Sequence, residues 1–298
     1  MNDALHPVPE TGIPAEEKSE SLGSFLWFLL KLALAVLIFR SFLFSPFSIP
    51  SESMLPRLAN GDYLIAAKWP YGFTSNSLPF SAPLIPGRIF ASEPERGDVV
   101  IFKHPVDGTD YIKRAIGLPG DTLEMRGGQI ILNGDPVPKQ RIGDFVIAVS
   151  PNTDCAWGAV RESDGEGGEQ CRYARFRETL PSGLSYEVLD FGLTPQDDFG
   201  PVIVPEGSIF VLGDNRDNSQ DSRFPSMPAG GVGLVPLDNL VGRASAIMWS
   251  TDGGANWLLP WTWFTAARWS RIGMTWRWPG ADGTLRGLAG GQARPQTR

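Results

Sequence analysis

A run of about twenty apolar residues, 25–44, interrupted only by Lys31 and Arg40, restricts this chain more than any other feature. Its length matches a hydrocarbon core of about 30 Å, so it reads as a single helix across a bilayer. Arg40 sits near one end and can snorkel. Lys31 is costlier, roughly 2.5 to 3.5 kcal/mol at a bilayer centre, but it lies close enough to the start to reach the N-terminal interface. A cleaved signal peptide is the competing reading. Against it, the first 24 residues carry five acidic side chains against the single Lys18, and no small-x-small site follows the run. That tail, at net charge −4, leaves orientation open, because the positive-inside rule counts basic residues and finds one.

With 298 residues, the chain has room for an anchor plus one large or two small globular units. Beyond residue 48, short apolar or alternating runs are punctuated by Gly, Pro and Asn, and none has the length and period of a core helix. The expected fold is mostly β, with strands at 63–67, 98–102, 111–116, 122–126, 129–132, 208–212 and 241–249. Asn133-Gly134 predicts a hairpin turn, since both residue types tolerate positive φ. Residues 68–95 and 139–204 read as insertions, the second a β-rich subdomain between strands that belong together. The expected organisation is a tail 1–24, the anchor 25–44, a core of 45–138 and 205–250 around the insertion 139–204, a segment 251–278, and a disordered tail 279–298. Seven of the ten tryptophans fall between Trp249 and Trp278, beside Arg268, Arg271 and Arg277. Such a composition suits the headgroup level of a membrane, with indoles half buried and guanidinium groups on phosphates. A hairpin packed on the core remains the alternative.

A net charge of −7 argues against nucleic acid as a partner. His6 precedes the anchor, which leaves His104 as the one imidazole for the main domain, expected in a surface turn. No His-based zinc site fits these spacings, and neither metal nor cofactor is expected. Cys155 and Cys171 lie on the far side of the anchor. In an oxidising space they can pair, which would contribute about 3 kcal/mol in the chain-entropy model; two separate thiols are the alternative.

Directly after the anchor comes Ile49-Pro50-Ser51-Glu52-Ser53-Met54-Leu55-Pro56, a small hydroxyl segment bracketed by prolines and placed to act on something that is also in the membrane. A serine hydroxyl needs a base to become nucleophilic. With histidine scarce, carboxylates and the lysines beyond the anchor, Lys68, Lys103, Lys113 and Lys139, are the candidates. Lys113 sits on a predicted strand with Tyr111 and Ala115 on its own face. To serve as a base near neutral pH, its pKa must fall from about 10.4 to about 7, which costs about 4.6 kcal/mol. Burial can supply that; a solvated strand lysine is the bland reading.

Three separated stretches decide between these. The Ile49-to-Pro56 segment, Tyr111-Ile112-Lys113-Arg114-Ala115-Ile116-Gly117-Leu118-Pro119-Gly120-Asp121, and Gly213-Asp214-Asn215-Arg216-Asp217-Asn218-Ser219-Gln220-Asp221-Ser222-Arg223 resemble the signature boxes of bacterial type I signal peptidases, in the same order, and Arg96-Gly97-Asp98-Val99-Val100 resembles a fourth. The resemblance spans residues 25 to about 250 and is weakest in 139–204. It implies a signal-peptidase or repressor-protease-like β fold. It further implies Ser53 as nucleophile, Lys113 as general base, and an oxyanion hole from the Ser51 hydroxyl and the Ser53 N–H. Ser219 would hydrogen-bond the Lys113 amine, and Asp214, Asp221 and Arg223 would support the loop. Phe47, Ile49, Pro50, Met54, Leu58, Tyr111 and Ile112 match positions lining shallow pockets for small residues, although several could equally be core. The implied activity is removal of signal peptides from preproteins after small-x-small motifs. The implied setting is a bacterial inner membrane, with a cytoplasmic N-terminus and the catalytic domain outside, where Cys155 and Cys171 would meet oxidising conditions. A self-cleaving repressor shares this chemistry but should carry a DNA-binding segment instead of an anchor. A non-catalytic relative is disfavoured by the joint presence of Ser51, Ser53, Lys113 and Ser219. The sequence leaves the oligomeric state open.

Overall fold

The computed structural model describes residues 22–78, 81–256 and 258–275. Both expected tails lie wholly or mostly outside that range, together with His6 and Arg277. Helix α1 (Leu22–Ile38) runs into one π-helical turn, Phe39–Leu43, giving 22 residues that are long and apolar enough to cross a membrane. Residues Leu22–Ile38 of α1 are all exposed, with none buried among the described residues. Lys31 Nζ lies 5.2 Å from the Trp27 ring, so its stem points one turn towards the N-terminus, as the snorkelling argument requires.

Strands follow in chain order as β1 (Phe44–Ser48), β2 (Asp62–Ala67), β3 (Val99–Lys103), β4 (Asp110–Gly117), β5 (Thr122–Arg126), β6 (Gln129–Leu132) and β7 (Asp135–Pro136). They continue as β8 (Lys139–Ala148), β9 (Val160–Ser163), β10 (Glu169–Thr179), β11 (Ser185–Leu189), β12 (Phe199–Ile203), β13 (Ser208–Leu212), β14 (Val235–Pro236) and β15 (Leu240–Ser250). One antiparallel sheet has the order β1-β2-β15-β3-β4-β13-β14, joining strands from both sides of the expected insertion. Its central strands read as continuous apolar runs because both faces are covered. Val99 and Ile101 pack with Met54, Leu58 and Ile112 on one face. Val100 and Phe102 pack with Tyr71, Ile209 and Val211 on the other.

The Asn133-Gly134 turn closes β6 on β7 with Leu132 opposite Asp135, and both turn residues have positive φ, 55° and 91°. The expected insertion divides in two. Strands β8 to β11 form a separate four-stranded sheet, whereas β12 pairs with β5 and completes the sheet of the β5–β6 hairpin. Its strands were not assigned from sequence because their faces alternate weakly; β8 buries none of its residues fully. Cys155 and Cys171 are bonded, with the sulfurs 1.99 Å apart.

His104 corrects the surface-turn expectation. It does begin a turn, but the ring is buried at 1% exposure, donates from Nε2 to the Gly231 carbonyl at 3.1 Å and accepts the Val106 N–H at Nδ1. The aromatic C-terminal segment also differs from its expectation. Trp261, Phe264 and Trp269 are exposed, but Arg268 and Arg271 turn inward. Arg271 donates to the fully buried Asp62 carboxylate from Nε at 2.9 Å and Nη2 at 2.6 Å, and Arg268 donates to Ser250 Oγ and the Asn60 carbonyl. A buried carboxylate needs partners, and Asp62 finds them in Arg271 and Arg268.

The inserted sheet is bolted to the core by a second buried pair. Glu178 on β10 receives both terminal nitrogens of Arg216, at 2.7 and 2.6 Å, and the Tyr186 hydroxyl at 2.6 Å, with both charged side chains 1% exposed. Removing one partner of such a pair strands the other charge. Glu178→Gln is expected to lower unfolding free energy by about 3 to 5 kcal/mol, read from the urea midpoint at constant m value; an unchanged midpoint would show that the pair does not hold the two sheets together.

Candidate active site

Pro50 ends the extended segment that follows β1, and residues 51–58 coil back through tight turns, with Leu55 N–H on the Glu52 carbonyl and Leu58 N–H on that of Met54. Met54 and Leu58 are fully buried and pin this coil to the sheet. The loop closes where Ile49 and Gly61–Asp62 exchange backbone bonds of 2.8 and 2.9 Å. Inside it, Ser53 is held from behind. Its carbonyl accepts the Asn215 N–H at 3.0 Å, and the Glu52 carbonyl accepts Asn215 Nδ2 at 3.1 Å.

Lys113 on β4 reaches this loop. Its Nζ lies 2.8 Å from Ser53 Oγ, donates to the Ile112 carbonyl at 3.1 Å and stands 5.5 Å from the Tyr111 ring. At 3% exposure it is no solvated strand lysine. Burial pushes its pKa down to about 8, against the pull of Asp221 and then Asp214. Ser51 Oγ lies 3.3 Å from Ser53 Oγ and is open to solvent. A hydroxyl and an amine at 2.8 Å can exchange a proton, and a second hydroxyl beside them can donate to developing charge.

The loop after β13 carries the charged support, each acid with its own arginine. Asp214 receives Arg114 Nε at 2.7 Å and Nη2 at 2.6 Å. Asp221 receives Arg223 Nε and Nη2, both at 2.9 Å, and the Gly213 N–H at 3.1 Å. Although burial opposes its ionisation, Arg223 and these N–H donors hold the Asp221 carboxyl below its ordinary range. The expected bond from Ser219 to the Lys113 amine is not made. The amine's second partner is a backbone carbonyl, and the buried Ser219 hydroxyl has no partner among the described residues. Ser219 instead packs over Gly213.

An apolar cleft of about 340 Å³ opens beside Ser53, and Phe47, Ile49, Pro50, Tyr111 and Ile112 line it as expected positions. Met54 and Leu58 do not; they are core beneath the cleft floor. Sequence reasoning missed Ser48, Ile101, Asp110, Asn218 and Gln220 in the lining, and Arg114, Asn215, Arg216 and Glu178 in the support. Arg114, Asn215 and Arg216 stand inside the quoted motifs and could have been found by asking what pairs each buried acid. Glu178 carries no such signal, because its partner lies 38 residues away.

A family model described as "Signal peptidase, peptidase S26" matches residues 22–249. Signal peptidase I of Rickettsia typhi is 37% identical over 225 residues, covering 72% of this chain and 75% of that protein. The Rickettsia prowazekii enzyme of the same name is 36% identical over 242 residues, covering 78% and 80%. A solved signal peptidase I from Enterococcus faecalis, 26% identical, covers 51% of this chain and 97% of its own, but its TM-score of 0.27 is too low to bear on the fold.

Gly213 admits no side chain. A Cβ there would stand 2.2 Å from Ser219 Oγ and 2.6 Å from the Ser53 carbonyl oxygen, which is backbone and cannot rotate away. Gly213→Ala is expected to shift Ser53 and lower kcat at least about tenfold, with the far-ultraviolet circular dichroism of the β fold retained; wild-type turnover would mean that the Ser53 backbone tolerates displacement.

Proposed function

The chain belongs to the signal peptidase family, peptidase S26, and is therefore a serine peptidase; we propose that it frees exported preproteins of their signal peptides with a Ser53/Lys113 dyad. The observation that carries the reading is the 2.8 Å approach of a buried lysine amine to a serine hydroxyl at the end of an apolar cleft. Ser53 Oγ attacks the scissile carbonyl while neutral Lys113 Nζ takes its proton. The oxyanion that forms is stabilised by the Ser53 N–H and the Ser51 hydroxyl, whose donors are aimed at charge absent from the ground state. Lys113 then gives the proton to the leaving amine, and in the second half-reaction it activates the water that hydrolyses the acyl-enzyme.

Asp214, Asp221 and Arg223 support the dyad by fixing the Gly213 loop against the back of Ser53, and Ser219 fills the space over Gly213. Phe47, Ile49, Pro50, Tyr111 and Ile112 form a shallow apolar cleft that suits small side chains before the cut and thus a small-x-small preference. The helix of residues 22–43 anchors the enzyme, in this reading once through a bacterial inner membrane with the domain outside. The exposed aromatics between 258 and 269 rest on the same bilayer, whose surface also presents the substrate.

Processing of a preprotein by the detergent-solubilised full chain tests the dyad. Ser53→Ala and Lys113→Ala are each expected to lower kcat/KM by at least about 10³-fold, and processing by either at the wild-type rate would sink the assignment. The base must be unprotonated, so kcat/KM should rise with pH through an apparent pKa of about 8 and level off above it. A profile flat from pH 6 to 9 would exclude Lys113 as the titrating base. Membrane contact has its own measurement. Replacing Trp261, Phe264 and Trp269 by serine in a protein lacking residues 1–43 should weaken sedimentation with phospholipid vesicles, whereas equal partition would remove the interfacial role.

A further inference from the structure

The apolar cleft is not the only depression at Ser53. Past Ser51 the surface opens again into a trough of about 530 Å³, which shares Pro50, Ser51 and Asn218 with the cleft but touches neither Ser53 nor Lys113. Its walls are more polar. Where the cleft is walled mainly by Phe47, Ile49 and Ile112, with Asp110 and Gln220 at its edge, the trough mixes Glu52, Asn60, Asn152 and Asp154 with Pro151, Ala156 and Trp157. The far wall belongs to the inserted segment, residues 150–157, and ends in Trp157, which is 59% exposed.

That wall is rigid. Asn60 Nδ2 donates to the Asn152 carbonyl at 2.6 Å, and Asn152 Nδ2 donates to that of Thr251 at 2.9 Å. The Cys155–Cys171 bond ties the wall to β10, the Ala156 N–H donates to the Tyr173 hydroxyl at 3.0 Å, and the Trp157 ring stands edge-on to Phe191 at 5.5 Å. Asp154 is ion-paired to Arg161, while Glu52 is half-buried, its carboxyl pushed up by burial and by the charge of Asp154. A loop fastened at so many points, with a large aromatic left in water at its rim, is suited to receive a chain without reorganising.

We propose that this trough binds the mature side of the preprotein, the first few residues after the cut, with Trp157 and the polar wall of the inserted segment as specificity-determining contacts. The inference rests on the signal-peptidase reading. An extended chain that fills the apolar cleft up to Ser53 must leave it past Ser51, and the trough is the depression that begins there. The turn from mainly apolar to mixed walls past Ser51 parallels the change in the substrate, whose apolar signal ends where a more polar mature chain begins. Binding energy gained there, remote from the reacting bond, can be used to hold the scissile carbonyl against Ser53.

The test compares two synthetic substrates cut by the detergent-solubilised full chain. Both carry the same signal-side residues; one ends in an amide after the first mature residue, and the other continues for four polar residues. Wild type should favour the longer by about tenfold in kcat/KM, and Trp157→Ala or Asp154→Asn should reduce that ratio to about threefold or less. The ratio is the readout, because a merely structural change would lower both rates together and leave it unmoved. A wild-type ratio near one, or an unaltered ratio in both variants, overturns the proposal while leaving the peptidase reading intact. Failure of the wild type to cut either substrate or an intact preprotein would overturn both.

Discussion

The burial of a lysine amine against a serine hydroxyl is the constraint on which the rest of this structure depends. Burial against the Tyr111 ring and the Ser53 loop favours the neutral form, yet two carboxylates, Asp221 and Asp214, lie near enough to favour the charged one. Each is occupied by its own arginine, Arg223 for Asp221 and Arg114 for Asp214. The acids can therefore organise the loop through hydrogen bonds while most of their field is cancelled locally. Glu178 does the same for Arg216, whose Nε donates to the Gly213 carbonyl. The polar interior beside the site is built of internally balanced pairs, so burial can lower the pKa of the Lys113 amine.

The loop that carries Ser53 is stabilised from three directions that are distant in sequence. Asn215 holds it from behind, Met54 and Leu58 root it in the sheet, and Asp62 at its exit is tied to Arg271 and Arg268 near the C-terminus. The last connection gives the aromatic segment a structural use besides any contact with lipid. Its guanidinium groups face the loop and its indoles face outward, so packing on the core and exposure at the surface coexist on opposite sides of one segment.

Much of this was legible in the sequence where local pattern decides structure. The anchor, the paired strands around Lys113 and the Asn133-Gly134 turn follow from length, alternation and turn chemistry. The meeting of Ser53 with Lys113 was legible through residue type and motif together, since a lone lysine on a strand says nothing about desolvation. What stayed hidden depends on contacts made across the chain. His104 looked like a turn residue because nothing nearby announces that Gly231 covers it. Arg268 and Arg271 looked like headgroup ligands because Asp62 is some two hundred residues away. Ser219 was expected on the lysine, but the Ile112 carbonyl, fixed by the strand itself, lies within reach of the amine.

Strand β1 begins at Phe44, the residue directly after the π-helical turn, with no loop between them. Five residues at roughly 3.3 Å each then carry the chain about 16 Å to Ser48, and Pro50 and the Ile49 bonds to Gly61 and Asp62 fix the rest of the way to Ser53. The apolar helix and Ser53 are thus joined by a strut, and the Ser53–Lys113 pair has a set elevation above the end of that helix. In the proposed reading, this strut would make the enzyme a gauge. Scissile bonds standing at that height would be presented directly, and any sitting lower would have to be raised by unwinding or tilting the substrate.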